Sequence, residues 1–129
     1  MFYAGFSITD LQIFDKLTRL IVEKQIHLDA DTSLDQVARM LGANRAYLSQ
    51  AVNRCTGDSF TAYINEYRVK EAVRLMSDAA QTHLTIEGIA HNCGFNARIT
   101  FHRVFKKTTG FSPATFRNKA LSMNKIRNS

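Results

Sequence analysis

IAHNCGFNARITFHRVFKKTTGFSPATFR, residues 89–117, is the stretch whose reading decides the fold. Ile89 and Ala90 continue an apolar run from Ile86 that Thr85 is placed to cap and that stops at Cys93 and Gly94. Asn96 then opens a second helix over about 96–109, with Phe101, Val104, Phe105 and Thr108 on one face and Gly110 as its stop. Ser112 before Pro113 is a cap followed by proline at the first helical position, which opens a last helix reaching about residue 121. A short helix, a tight turn and a longer helix follow one another within about thirty residues.

The same unit occurs earlier in the chain. Residues 34–63 align with residues 86–116 once a single extra residue is allowed in the second turn. Val37 and Ala38 match Ile89 and Ala90, and Gly42 matches Gly94. Leu48 and Val52 match Phe101 and Phe105, Thr56 and Gly57 match Thr109 and Gly110, Ser59 matches Ser112, and Tyr63 matches Phe116. Ser33 and Gln36 have capping-box spacing before Leu34, Val37, Ala38 and Leu41. Asn44 is a good N-cap for a helix over about 44–55 that turns Leu48, Ala51, Val52 and Cys55 inward. Arg45, Ala46, Ser49, Gln50 and Asn53 are left facing outward.

Around the two units the periodicity remains helical. Thr9 and Gln12, at capping-box spacing, open a helix over 9–28 that places Ile13, Phe14, Leu17, Leu20 and Ile21 on one stripe. No Gly or Pro interrupts residues 58–78, whose apolar face shifts from Phe60, Ile64 and Tyr67 to Val69, Ala72, Val73 and Met76. Such a helix can pack one end on each of two lobes. The expected architecture is all-α, about seven helices in a single domain over 1–129. It divides into 9–57 with the first helix-turn-helix, a linker helix 58–78, 82–121 with the second helix-turn-helix, and a polar, basic, frayed tail 122–129.

Composition narrows the function. A hydrophobic content of 45% over 129 residues is enough for a core without disulfides or metal. The net charge of +6 is unevenly placed: residues 1–81 balance to −1, and residues 82–129 carry 8 Lys/Arg against 1 Asp/Glu. The C-terminal part is therefore the expected polyanion face. Cys55 and Cys93 sit on helical faces outside any zinc spacing and read as reduced thiols, and His27, His83, His91 and His102 show no ligand pattern. No metal, cofactor or catalytic set is expected. The start MFYAGFSITD lacks the n-region of a signal peptide, and no apolar run approaches a membrane span. A cytoplasmic protein without membrane contact is the expectation.

The quoted stretch resembles the signature around the second helix-turn-helix of the AraC family of bacterial transcription regulators. YRVKEAVRLM (residues 67–76) resembles that family's linker helix, and the likeness runs from about Ser33 to Lys119. Two features depart from the family pattern: Ala43 stands in the first turn where Phe95 stands in the second, and Arg98, Ile99 and Thr100 replace the usual small or amide side chains.

The resemblance implies sequence-specific binding of double-stranded DNA, with the two recognition helices in adjacent major grooves roughly 34 Å apart on an asymmetric, bipartite site. Arg45, Ala46, Ser49 and Gln50 would read bases from the first helix, and Arg98, Ile99, Thr100, His102 and Arg103 from the second. Arginine can take guanine O6 and N7 together, glutamine can do the same for adenine, and apolar groups meet the thymine methyl. Ser33, Thr85, Asn44 and Asn96 would place helix N-termini against phosphates, with Lys106 and Lys107 as point charges. The resemblance further implies RNA polymerase as a partner; since the residues before the first unit form too little for a ligand pocket, the expectation is a sensing or dimerisation domain in a longer protein or, as the alternative, a small regulator controlled by its abundance. The alternative is a helical protein-interaction module with only non-specific attraction for nucleic acid. An RNA reader would need exposed stacking aromatics, and an enzyme would need a base and a nucleophile brought together.

Overall fold

The computed structural model describes residues 7–127, so residues 1–6 of the expected domain and the last two residues of the expected tail lie outside it. Its helices are α1 (Ile8–Lys24), α2 (Leu34–Met40), α3 (Arg45–Thr56), α4 (Phe60–Ser77), α5 (Ile86–Asn92), α6 (Arg98–Thr109) and α7 (Pro113–Arg127), with 3-10 turns at Ile26–Leu28 and Ala79–Gln81. No strand occurs among the described residues. The chain forms two compact units, and the division falls inside α4, between Asn65 and Glu66.

In the first unit α1 begins earlier than its pattern suggests. Ser7, not Thr9, is the N-cap, and its partner is Asp10, not Gln12: the Ser7 hydroxyl accepts the Asp10 N–H at 3.1 Å, and the Asp10 carboxylate accepts the Ser7 N–H at 2.8 Å. A carboxylate is a stronger acceptor than an amide and gains from the positive end of the helix dipole, so this box outcompetes the later one. The helix also ends at Lys24 and not at residue 28. Gln25 takes the left-handed conformation (φ 52°), its N–H bonds Ile21 O at 3.0 Å, and the following 3-10 turn buries His27.

Both α1 and α2 pack on α3. Ile13, Leu17, Ile21, Val37, Ala38, Leu48, Ala51, Val52, Phe60, Tyr63 and Ile64 are buried, while Phe14 and Leu20 of the expected stripe are half-buried. Tyr63 lays its ring 5.1 Å from Phe14 and shares a 2.9 Å hydrogen bond with Thr18.

The second unit has its own core of Val69, Ala72, Leu75, Met76, Ile89, Ala90, Cys93, Phe95, Phe101 and Phe105. Phe95, Phe101, Phe105 and Phe116 follow one another as a chain of tilted and edge-on rings with successive centroids 5.1 to 5.6 Å apart. Thr108, expected inward, is exposed, because a twelve-residue helix with Phe101 and Phe105 at its centre needs no fourth core position. α7 runs six residues past residue 121. Asn124 donates to Ser77 O at 2.9 Å, satisfying a carbonyl at the end of α4 that the helix itself leaves free, and Arg117 donates to Thr82 O at 3.1 Å.

The repeat read in the sequence extends to individual atoms. Ala43 N–H bonds Ala38 O at 2.8 Å in one turn, and Phe95 N–H bonds Ala90 O at 3.0 Å in the other. Thr56 Oγ1 donates to Val52 O at 2.7 Å and Thr109 Oγ1 to Phe105 O at 2.9 Å. Gly57 and Gly110 close α3 and α6 at φ 80° and 85°, a region an L side chain resists. Ser59 and Ser112 then cap α4 and α7 through the N–H groups of Ala62 and Thr115.

Candidate nucleic-acid interface

Burying Leu48, Ala51 and Val52 of α3, and Phe101 and Phe105 of α6, fixes which side of each helix faces water. On α3 this leaves Arg45, Ala46 and Gln50 exposed and Ser49 half-buried. On α6 it leaves Arg98, Ile99 and Arg103 exposed and Thr100 half-buried. Ile99 is 82% exposed, a large apolar side chain that makes almost no contact with its own protein. His102 is different from the other expected reading residues: it is half-buried, its Nε2 is buried without a hydrogen-bond partner, and the residue lines a cleft of about 200 Å³ together with Glu87, His91, Phe95 and Phe101.

The two N-termini differ in their caps. Asn44 Oδ1 accepts the N–H groups of Ala46 at 2.8 Å and Tyr47 at 3.2 Å. Asn96 does not do this for α6. The extra residue in the second turn moves it one place too early, and the cap position falls on Ala97, whose side chain offers no acceptor. Ser33 Oγ accepts Gln36 N–H at 3.2 Å, and Thr85 Oγ1 accepts Gly88 N–H at 2.9 Å, which leaves each hydroxyl proton free to donate.

Three charged contacts at this face join different helices, and a fourth polar contact lies within α3. Arg45 Nε lies 3.3 Å from Asp35 Oδ1, and Arg98 Nη1 lies 3.6 Å from Glu87 Oε1. Arg54 Nη1 lies 3.4 Å from Asp10 Oδ1, and Arg54 Nη2 donates to Gln50 Oε1 at 3.3 Å. Sequence reasoning missed all four acidic or basic partners, although Asp35 and Glu87 occupy the same place in the repeat alignment. Arg103, Lys106 and Lys107 are exposed and have no ion-pair partner among the described residues.

Backbone donation from Ser7 holds the Asp10 carboxyl below the usual carboxylate range, opposed by burial and aided by the Ser7 hydroxyl and Arg54. Burial raises the Cys55 thiol and pushes Cys93 up to about 12, so both stay protonated near neutrality. Among the described residues no three His, Cys, Asp or Glu side chains gather to hold a metal ion, and no helix is long and apolar enough to cross a membrane.

A family profile described as a helix-turn-helix domain matches residues 37–119. An uncharacterized HTH-type transcriptional regulator of Bacillus subtilis, YtdP, is 33% identical over 95 residues, covering 74% of this chain and 12% of that protein. The C-terminal domain of AraT, a response regulator from Geobacillus stearothermophilus, superposes with a TM-score of 0.69 at 27% identity over 90% of this chain and 88% of that one. A transcriptional regulator from Chromobacterium violaceum with an AraC-type DNA-binding domain has the same fold, with a TM-score of 0.67 at 20% identity over 83% of this chain and 93% of that one. The chain spans only 12–15% of the length of the first curated regulators it matches.

Proposed function

The chain belongs to the AraC-type helix-turn-helix family, a DNA-binding domain of transcription regulators, and from that premise we propose that it reads an asymmetric, bipartite site in double-stranded DNA. One observation carries this reading: beside an arginine common to both, Arg45 and Arg98, α3 and α6 present unlike side chains from equivalent outward positions, Ala46 against Ile99 and Gln50 against Arg103. Two unlike readers on one chain fit two unlike half-sites in adjacent major grooves, covering about two helical turns.

Arg45, Ala46, Ser49 and Gln50 read one half-site, and Arg98, Ile99, Thr100 and Arg103 the other. Ile99 suits a thymine methyl, and the arginines suit guanine. His102 backs the second reading surface, since its Nε2 is buried. Lys106, Lys107, and the hydroxyls of Ser33 and Thr85 serve phosphates; Asn44 and Asn96 stand at the two turns beside them. These contacts set position and affinity and carry little sequence information. α4 is the linker helix, and RNA polymerase and a sensing or dimerisation domain are the further partners this reading calls for.

Selection of duplexes from a random library by the 129-residue chain tests the reading, followed by affinity for the winner and for scrambled DNA at two salt concentrations. A bipartite, non-palindromic consensus preferred by about 10³-fold or more is the expected result. A strictly palindromic site for the monomer overturns the asymmetric assignment, and binding that disappears with salt without any consensus leaves only the protein-interaction alternative.

A further inference from the structure

We propose that Asp35 and Glu87 are specificity-determining residues: each holds the first arginine of the helix that follows it, Arg45 or Arg98, on the base-reading side and away from phosphates. The proposal rests on the DNA-reading function above. Asp35 is the second residue of α2 and Glu87 the second of α5, while Arg45 and Arg98 are the first residues of α3 and α6. In both units a carboxylate on the shorter helix reaches across the turn to the guanidinium, at 3.3 Å and 3.6 Å. The second turn is longer by one residue, and the acid there is longer by one methylene. The pairing thus survives a change in backbone length.

Stability is a poor account of these pairs. All four side chains are between 58% and 71% exposed, and ion pairs so placed contribute little to folding. Their position suits a different task. A guanidinium has five N–H donors, and the carboxylate engages only one side of it, which leaves enough for the two-pronged contact with guanine O6 and N7. An arginine already held loses less rotamer freedom when it makes that contact. To reach a phosphate instead, it must leave its carboxylate, and the carboxylate itself repels the phosphate. Lys106 and Lys107 have no such partner among the described residues and supply the general attraction.

The experiment uses the 129-residue chain, its selected consensus duplex and a scrambled duplex. Glu87→Gln is expected to bind scrambled DNA about fivefold tighter with little change on the consensus, and to weaken preference at the base pair that Arg98→Ala relaxes. Glu87→Asp keeps the charge but shortens the reach, and is expected to lose the same preference. In the Arg98→Ala background, Glu87→Gln changes that preference no further. Asp35→Asn behaves likewise at the base pair read by Arg45. Asp15→Asn, which removes a carboxylate paired with Arg19 on α1, shifts both duplexes equally and serves as the charge control. If Glu87→Gln behaves like Asp15→Asn, or Glu87→Asp behaves like the parent chain, the positioning role is overturned while DNA reading stands. A parent chain that selects no consensus overturns both.

Discussion

Arg54, in the last turn of α3, places Nη1 3.4 Å from Oδ1 of Asp10, a side chain only 2% exposed in the first turn of α1. The other end of the same guanidinium donates to Gln50 Oε1 at 3.3 Å. Arginine has no acceptor, so the amide oxygen must face it and the Gln50 NH₂ group points elsewhere. A capping residue of α1, outside the helix-turn-helix, thereby orients inside it the side chain of Gln50, which is proposed to read DNA.

Arg54→Met is therefore expected to weaken preference at the base pair that Gln50→Ala relaxes, without changing preference at the base pairs read by α6. Affinities on a panel of single-base variants measure this. Equal losses across the panel for Arg54→Met would identify Arg54 as a plain phosphate contact.

The Asp10 carboxyl gives the first unit an acid-side limit. Its folded pKa is depressed, first by the Ser7 N–H, so the stability it contributes is complete above the ordinary carboxylate range and is lost as pH falls through the folded pKa. Denaturation midpoints followed from pH 7 downward should decline more steeply for the parent chain than for Asp10→Asn. Parallel curves would remove Asp10 from the account of acid sensitivity.

Arg103 and Lys107 should separate reading from attraction. Arg103→Ala is expected to cost about 1 to 3 kcal/mol on the consensus and to relax one base pair, whereas Lys107→Ala weakens every sequence alike and lowers the salt slope by about one. Titrations of both variants against the single-base panel at several salt concentrations decide the matter. A uniform loss for Arg103→Ala would transfer it to the phosphate group.

The unlike caps of α3 and α6 predict opposite responses. Asn44→Ala removes the acceptor of two N–H groups and is expected to cost about 1 kcal/mol, while Ala97→Ser places an acceptor where the backbone is already extended (φ −122°, ψ 129°) and is expected to stabilise by about 0.5 to 1 kcal/mol. Chemical denaturation of each variant gives both values. A destabilised Ala97→Ser would mean that the first turn of α6 does not accommodate a cap.

Much of this was legible before any coordinates. The spacing of Leu48 and Val52, and of Phe101 and Phe105, located α3 and α6 and their outward faces, because a period of three to four leaves one face for the core. The matched Gly42 and Gly94, and Gly57 and Gly110, marked the turns. Misplacements came where two local options compete: Ser7 with Asp10 over Thr9 with Gln12, Ala97 over Asn96 as the cap residue, and a left-handed Gln25 where no glycine announces the end of a helix. The continuation of α7 past residue 121 has its cause in Asn124 meeting Ser77, a contact across 47 residues.

The amino-acid sequence alone therefore determined the helical class, the duplicated unit, the charge on the second half and the identity of most outward residues, since each follows from local spacing, from comparing one stretch with another or from counting charges. Tertiary structure alone decided which outward residues are restrained: Arg45 by Asp35, Arg98 by Glu87, Gln50 through Arg54 by Asp10, and His102 with Nε2 buried. Periodicity reports the direction in which a side chain leaves its helix. The partner it meets depends on a second helix, whose approach is set by the packed core and the length of the turn.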